Sequence, residues 1–247
     1  MFAEFTEALF SIFFVETLIN GLLLGGVLAL LSLGLNLIFG VIDVVWICYA
    51  EIIMLGMYTI YFLHVDGGMP LIAAVACGVG VTACLGWLTH RLVIGYLLQA
   101  APINQLLATG GLLFFFQGAA MVAFGVEFRS LGVSLGSLAL SEDIYLSWTR
   151  LLSFTIAAGV VVVLYQFLAR SYLGAAIRAI SQDREIMILM GVDTKKLYLL
   201  TSAIGGGLAG LAAALLALQY DVHPFIGLSF GPITFMICVM GGLGNMV

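Results

Sequence analysis

Apolar residues run along this chain in long blocks separated by short polar stretches. A helix that spans a bilayer takes about 20 apolar residues. Seven blocks approach that size: about Thr17 to Ile42, Val44 to Leu63, Pro70 to Thr89, Ile103 to Gly125, Trp148 to Ala169, Tyr198 to Tyr220, and Phe230 onward. The first holds no charge and, at about 1.5 Å per residue, extends roughly 39 Å. That exceeds a hydrocarbon core of ~30 Å, so a tilted or broken helix is expected. The last block is still apolar at Val247 without a polar anchor, which reads as a chain cut short with at least one further helix beyond it.

The polar positions between the blocks set an orientation. Of the 8 Lys+Arg, Arg170, Arg178, Arg184, Lys195 and Lys196 fall between blocks five and six, and Arg91 follows block three. The positive-inside rule makes these loops, 90–102 and 170–198, cytoplasmic and leaves the N-terminus outside; Arg129 and Arg150 oppose it. Residues 1–16 carry Glu4, Glu7 and Glu16 with no basic residue, the reverse of a signal peptide's start. Loop 126–148 is then external, and its two weakly alternating stretches predict a small hairpin. Asp221–Pro232 holds two prolines and two glycines, which argues against a continuous helix and for a short external or re-entrant segment.

Composition narrows the class. The 247 residues are 63% apolar and 9% charged, with mean hydropathy +1.21. Soluble domains carry about 25% charged residues. A soluble enzyme and a nucleic-acid binder, which needs a basic face, are excluded. The expected fold is an all-α polytopic membrane protein, one transmembrane domain over 1–247. Cys48, Cys77, Cys84 and Cys238 lie in apolar runs and read as small buried fillers. His64, His90 and His223 fall in separate loops or span ends, so no metal site is implied, and no nucleophile–base pair marks a catalytic centre.

Intramembrane polar groups are costly, so each needs a reason. Glu51, inside the second block, reads either as a group lining a substrate path or holding the freed amides of a broken helix, or as a structural acid paired with a neighbour. Asn36, Asp43 and Tyr49 lie near enough in sequence to share its pocket. Asn20, Asn104, Gln105, Thr109 and Gln117 read as helix–helix hydrogen bonds. Small residues recur every four positions in three rows: Gly205, Ala209, Ala213 and Ala217; Gly206, Gly210 and Ala214; Gly21, Gly25 and Ala29. Such rows let membrane helices approach closely.

The stretch 170–198 has a different pattern. Arg178, Ser181, Gln182 and Glu185 form one polar stripe, and Ile177, Ile180 and Ile186 supply apolar positions. Gly191 is a helix stop and Asp193 an N-cap for the helix that follows. A continuous helix over Ala175–Met190, too short to cross a bilayer, is expected to lie along the membrane. It reads as a docking element for a soluble partner or as an interfacial anchor.

Four ordered stretches then carry a resemblance. Asn20–Ile42 followed by Glu51-Ile-Ile-Met-Leu-Gly-Met-Tyr58 resembles the permease subunits of branched-chain amino-acid ABC importers. So do Ala101-Pro-Ile-Asn-Gln-Leu-Leu-Ala-Thr-Gly-Gly111, Gly174-Ala-Ala-Ile-Arg-Ala-Ile-Ser-Gln-Asp183 with Met190-Gly-Val-Asp193, and Gly241-Gly-Leu-Gly-Asn245. The resemblance implies a bacterial inner-membrane subunit that pairs with a homologous second permease. Two cytosolic ATPase subunits would bind the coupling loops, through Ile177, Arg178, Ile180, Asp183, Arg184 and Gly191 here, and a periplasmic protein would deliver substrate. ATP and Mg would be used by the ATPase partner; this chain has no Gly-x-x-x-x-Gly-Lys-Ser/Thr loop and is expected to bind no cofactor. Where the family usually reads Asn-Phe-Ala-His-Gly-Glu, Trp46, Ile47, Cys48, Tyr49, Ala50 and Glu51 keep the acid alone. Relatives that move urea, short amides or other amino acids keep a second reading open, and an ion-coupled carrier with Glu51 as its ion site is a third.

Overall fold

A computed structural model describes residues 12–98, 100–133, 136–141, 144–242 and 244. It is a helical bundle with one small hairpin. Helix α1 (Ile12–Ile42) is unbroken along the first apolar block, so of the two expected accommodations, tilt or a break, the break is not used. It stops at Asp43, whose φ of 59° turns the chain. Aspartate is among the few residues that tolerate this left-handed conformation. Residues 44–48 are then non-helical, and α2 begins only at Tyr49, running to Tyr61 and closing in a wider turn over Phe62–Asp66. The second apolar block is therefore a short helix behind an extended entry, not the full span expected from Val44.

Helix α3 (Leu71–Thr89) continues through a wide turn at His90–Ile94 as far as Leu97, well past its expected end. Helices α4 (Pro102–Phe124) and α5 (Trp148–Arg170) follow the pattern closely, and strands β1 (Ser137–Ser141) and β2 (Ile144–Ser147) form the hairpin between them. The cytoplasmic-loop segment holds two helices, α6 (Tyr172–Gln182) and α7 (Arg184–Leu189). Asp183 divides them with extended dihedrals, φ −151° and ψ 110°, and its carboxylate accepts the Ile186 N–H at 3.0 Å to start α7. The single helix expected over Ala175–Met190 is thus broken by its own cap. Gly191 takes a φ of 81°, and Asp193 caps α8 (Thr194–Ala217) by accepting the Lys196 N–H at 3.2 Å. Helix α9 (Ile226–Met240) starts before Phe230 and contains Pro232.

Among the described residues, five helices are long and apolar enough to cross a bilayer: Glu16–Ile42, Leu71–Leu97, Pro102–Phe124, Trp148–Arg170 and Thr194–Ala217. The expected spans two and seven are the short helices α2 and α9 instead.

Helix α8 is the centre. Of its crossing window 67% is buried, and of α1's 56%, against 17% for α4 and α5 at the rim. Small residues make this possible. A β-carbon on Gly206 would stand 3.1 Å from the Gly86 Cα, and one on Gly210 would stand 2.8 Å from the Val79 Cα, so the α8 and α3 backbones touch. Gly205 meets Ile38 of α1, and Ala209 and Ala213 are fully buried. The third row differs: around Gly21 and Gly25 nothing lies within 4 Å, and Ala29 is exposed. On α1 the close approaches come instead at Gly26, against Phe154, and at Gly34, against Tyr49 and Leu208. Cys48 and Cys238 are buried as fillers, but Cys77 and Cys84 lie on the outward face of α3.

At one end of the bundle Arg129 ties three segments together. Its guanidinium donates to the Phe124 carbonyl at 3.0 Å and lies over Phe62, while its backbone pairs with Val222.

Candidate functional site

The short entry 44–48 and the late start of α2 place an unusual group inside the bundle. Glu51 lies in the first turn of α2 with no exposure to solvent. The Tyr49 hydroxyl donates to the Gly205 carbonyl at 3.1 Å, and Gly56 packs on Gly210 and Ala213. Those two contacts bracket Glu51 and set it near mid-height of α8. Among the described residues neither carboxylate oxygen has a hydrogen-bond partner. The reading as a structural acid paired with a neighbour is therefore not what the structure shows, and neither is a bond to the amides of a broken helix.

The carboxylate lies instead against bare backbone. A β-carbon on Gly227 would stand 2.6 Å from Oε1 and 2.9 Å from Oε2, so any side chain there would displace the carboxylate. Gly227 is the second residue of α9, which places a helix N-terminus, with its partial positive charge, beside the carboxylate. Leaving an ionised carboxylate buried without a partner costs several kcal/mol, a cost that a bound cationic group could offset.

Gly227 also lines a cavity of about 300 Å³ that lies between the 44–50 entry, α1, α4 and α9. Its wall is almost wholly apolar, with Leu35, Trp46, Leu113, Leu228 and Phe235 among the lining residues. Trp46 is held in place by its indole N–H, which donates to the Cys48 sulfur at 2.6 Å. On α4 the Thr109 hydroxyl donates to the Val45 carbonyl at 3.2 Å, anchoring the extended entry from the far side.

The proposed path residues do not all meet. Tyr49 and Glu51 lie on one short helix, but Asn36 accepts the Gly244 N–H at 2.8 Å. That places it beyond the far end of α9, where it holds the glycine motif and does not face Glu51. Gln105 donates to the Leu97 and Ala100 carbonyls, closing the turn before α4 and not bridging to a distant helix. Asn20 lines a polar hollow with Glu16, Arg150 and Gln219. Neither Gly227 nor Trp46 was named as a site residue from the sequence; the local signal for Gly227 is a glycine just after His-Pro-Phe-Ile, and for Trp46 its place in the altered motif before Glu51.

The cytoplasmic-loop residues are similarly redistributed. Ile177 and Ile180 are fully buried against the chain's own helices. Arg178 donates to the Leu168 carbonyl at 2.5 Å, and Arg184 to the Val41 carbonyl at 3.3 Å with its guanidinium over Tyr198. These four hold the loop onto the bundle. The outward apolar surface is made by Ile186, Ile188, Leu189 and Met190, the last two 85% and 75% exposed. Gly191 keeps its turn-making role, and Asp183, expected to face a partner, makes a turn instead by capping α7.

Crossing helices around a buried carboxylate and an apolar cavity define a multi-pass membrane protein. Residues 17–247 match the family described as "Branched-chain amino acid transport system / permease component", and the chain belongs to that family. It is 30% identical to the high-affinity branched-chain amino acid permease BraD of Pseudomonas aeruginosa, over 94% of this chain and 80% of that one. It is 26% identical to LivH of Escherichia coli K12, over 95% and 81% respectively. A glucose ABC transporter permease, TsgC13 of Haloferax volcanii, is 31% identical over 64% of this chain and 48% of its own length. No solved structure matches.

Proposed function

We propose that this permease component forms one half of the path of an ATP-driven importer that carries branched-chain amino acids inward. It works with a second, homologous permease, two cytosolic ATPase subunits and a periplasmic binding protein. The N-terminus lies on the periplasmic side, and loops 90–102 and 170–198 lie in the cytoplasm of a bacterial inner membrane. ATP and Mg belong to the ATPase subunits.

The observation that carries this reading is the exposed apolar group Ile186, Ile188, Leu189 and Met190 between α5 and α8, flanked by exposed Arg170, Lys195 and Lys196. An apolar patch rimmed by charge suits a groove on a soluble protein. The loop is braced to the end of α1 through Arg184 and Val41, so a push on α7 reaches the entry 44–48 that walls the cavity. This supports coupling of ATPase motion to the site.

The test is to purify the tagged chain with its neighbours under native conditions and to measure leucine uptake in proteoliposomes. ATP-dependent leucine uptake, with ATPase subunits retained on the column, is expected. Uptake that persists without any ATPase and follows an ion gradient would replace this reading with an ion-coupled carrier.

A further inference from the structure

We propose that Glu51 receives the ammonium group of the transported amino acid while the adjoining cavity receives its aliphatic side chain, with Gly227 as the bare junction between the two. The assignment rests on the importer reading above and divides one ligand between two features of different chemistry.

Three observations lead to it. Glu51 is fully buried, and both its oxygens lack partners among the described residues. An ammonium brings three N–H donors and a compensating charge to two orphan acceptors. The cavity of about 300 Å³ is apolar and offers an α-amino group nothing to bond, yet suits a branched hydrocarbon chain. Glycine at 227 lets both features approach one point: the carboxylate lies against it, and it also lines the cavity.

The same geometry says what must move. The carboxylate has no exposure, so an ammonium reaches it only when the first turn of α9 shifts from α2. Gly227 and Gly231 meet α2 at Glu51 and Ala50 without side chains of their own, which leaves that contact free of interlocking atoms.

The experiment uses the full chain in its transporter complex, in nanodiscs, with Trp87 and Trp148 replaced by Phe so that Trp46 in the cavity wall is this chain's lone indole, its response taken as the difference from the same complex that also carries Trp46→Phe. Three probes are titrated: L-leucine, 3-methylbutylamine, which lacks the carboxylate, and 4-methylpentanoate, which lacks the amine. Leucine and the amine should shift Trp46 emission, and the amine-free acid should bind at least about tenfold more weakly. Glu51→Gln should remove the preference for amines. Gly227→Ala should weaken leucine through crowding of the carboxylate, and it serves as the second variant if Glu51→Gln does not fold. Leu113→Phe should narrow the cavity and penalise leucine more than alanine. The proposal is overturned if 4-methylpentanoate binds as well as the amine, or if a folded Glu51→Gln or Gly227→Ala protein keeps the wild-type preference. Loss of ATP-dependent leucine uptake in the unmodified complex would instead overturn the importer reading, so the two failures are separable.

Discussion

Along the seam of α3 and α8, Gly206 faces Gly86 and Gly210 faces Val79 and Thr82, with backbones in contact. At the corner of α2, α4 and α9, a cavity of about 300 Å³ adjoins a carboxylate with no partner among the described residues. Both regions use glycine, but to opposite ends. In the seam its absent side chain brings two helices together with their surfaces matched, and dispersion contacts accumulate. At the corner it leaves a contact with little to hold it, beside a group whose burial is unfavourable. The seam is packed backbone to backbone, and the corner leaves space beside a buried charge.

Substitutions can break this contrast at points of decreasing effect. Gly206→Leu drives a branched side chain into the α3 backbone, and overpacking of this kind costs about 3 kcal/mol or more. The expected result is loss of monodisperse protein on size-exclusion chromatography, whereas Leu113→Phe at the corner cavity should retain it. Ile180→Asp comes next, since it buries a charge where the side chain has no exposure. It should lower the melting temperature sharply. Leu189→Asp, two turns on but outward, should leave melting unchanged and uncouple ATP hydrolysis from uptake; equal melting losses for both would show that α7 is packed like α6.

Tyr49→Phe removes one buried hydrogen bond to Gly205, for a loss of about 1 kcal/mol, read as a modest drop in melting temperature. Because Tyr49 bridges α2 to α8, a much larger drop would mean that the corner depends on the seam for its position.

The smallest effect lies outside both regions. The Lys196 side chain and backbone N–H hold the Asp193 carboxyl below the usual carboxylate range. A depressed acid contributes stability above its ordinary pKa and loses it as pH falls through the lowered value. Wild type and Asp193→Asn should therefore differ slightly near neutral pH and converge in acid, in paired melting curves.

The fold was legible wherever an apolar block and a helix coincide, as in α4 and α5, where hydropathy alone sets length. It was less legible where one residue redirects the chain. Val44–Cys48 is as apolar as a span, but Asp43 just before it adopts positive φ, and nothing in hydropathy marks that turn. Asp183 was read as a charge facing a partner because the helical stripe continues through it; its cap to Ile186 competes with the helix and wins. The two rows of small residues on α8 were readable because Gly and Ala at every fourth position have few other uses. The row on α1 has the same spacing but faces outward, and spacing does not encode which face is inside. Of the site, Glu51 was visible as a charge in an apolar block and Tyr49 as its neighbour. Gly227 lies 176 positions away, and its role arises only when α9 is laid beside α2.

The length of α9 bears on how the chain enters its membrane in the first place. Fifteen residues make a rod of about 22 Å, shorter than the ~30 Å core. Pro232 also removes one backbone donor from that rod. Such a segment partitions poorly on its own. Its company is supplied by helices synthesised earlier: Ser32 on α1 reaches the Thr234 carbonyl, and Cys238 reaches the Ser32 carbonyl in return. During biogenesis α9 is thus a late guest in a groove made by others, and lesions in the α1 groove should strand it at the translocon.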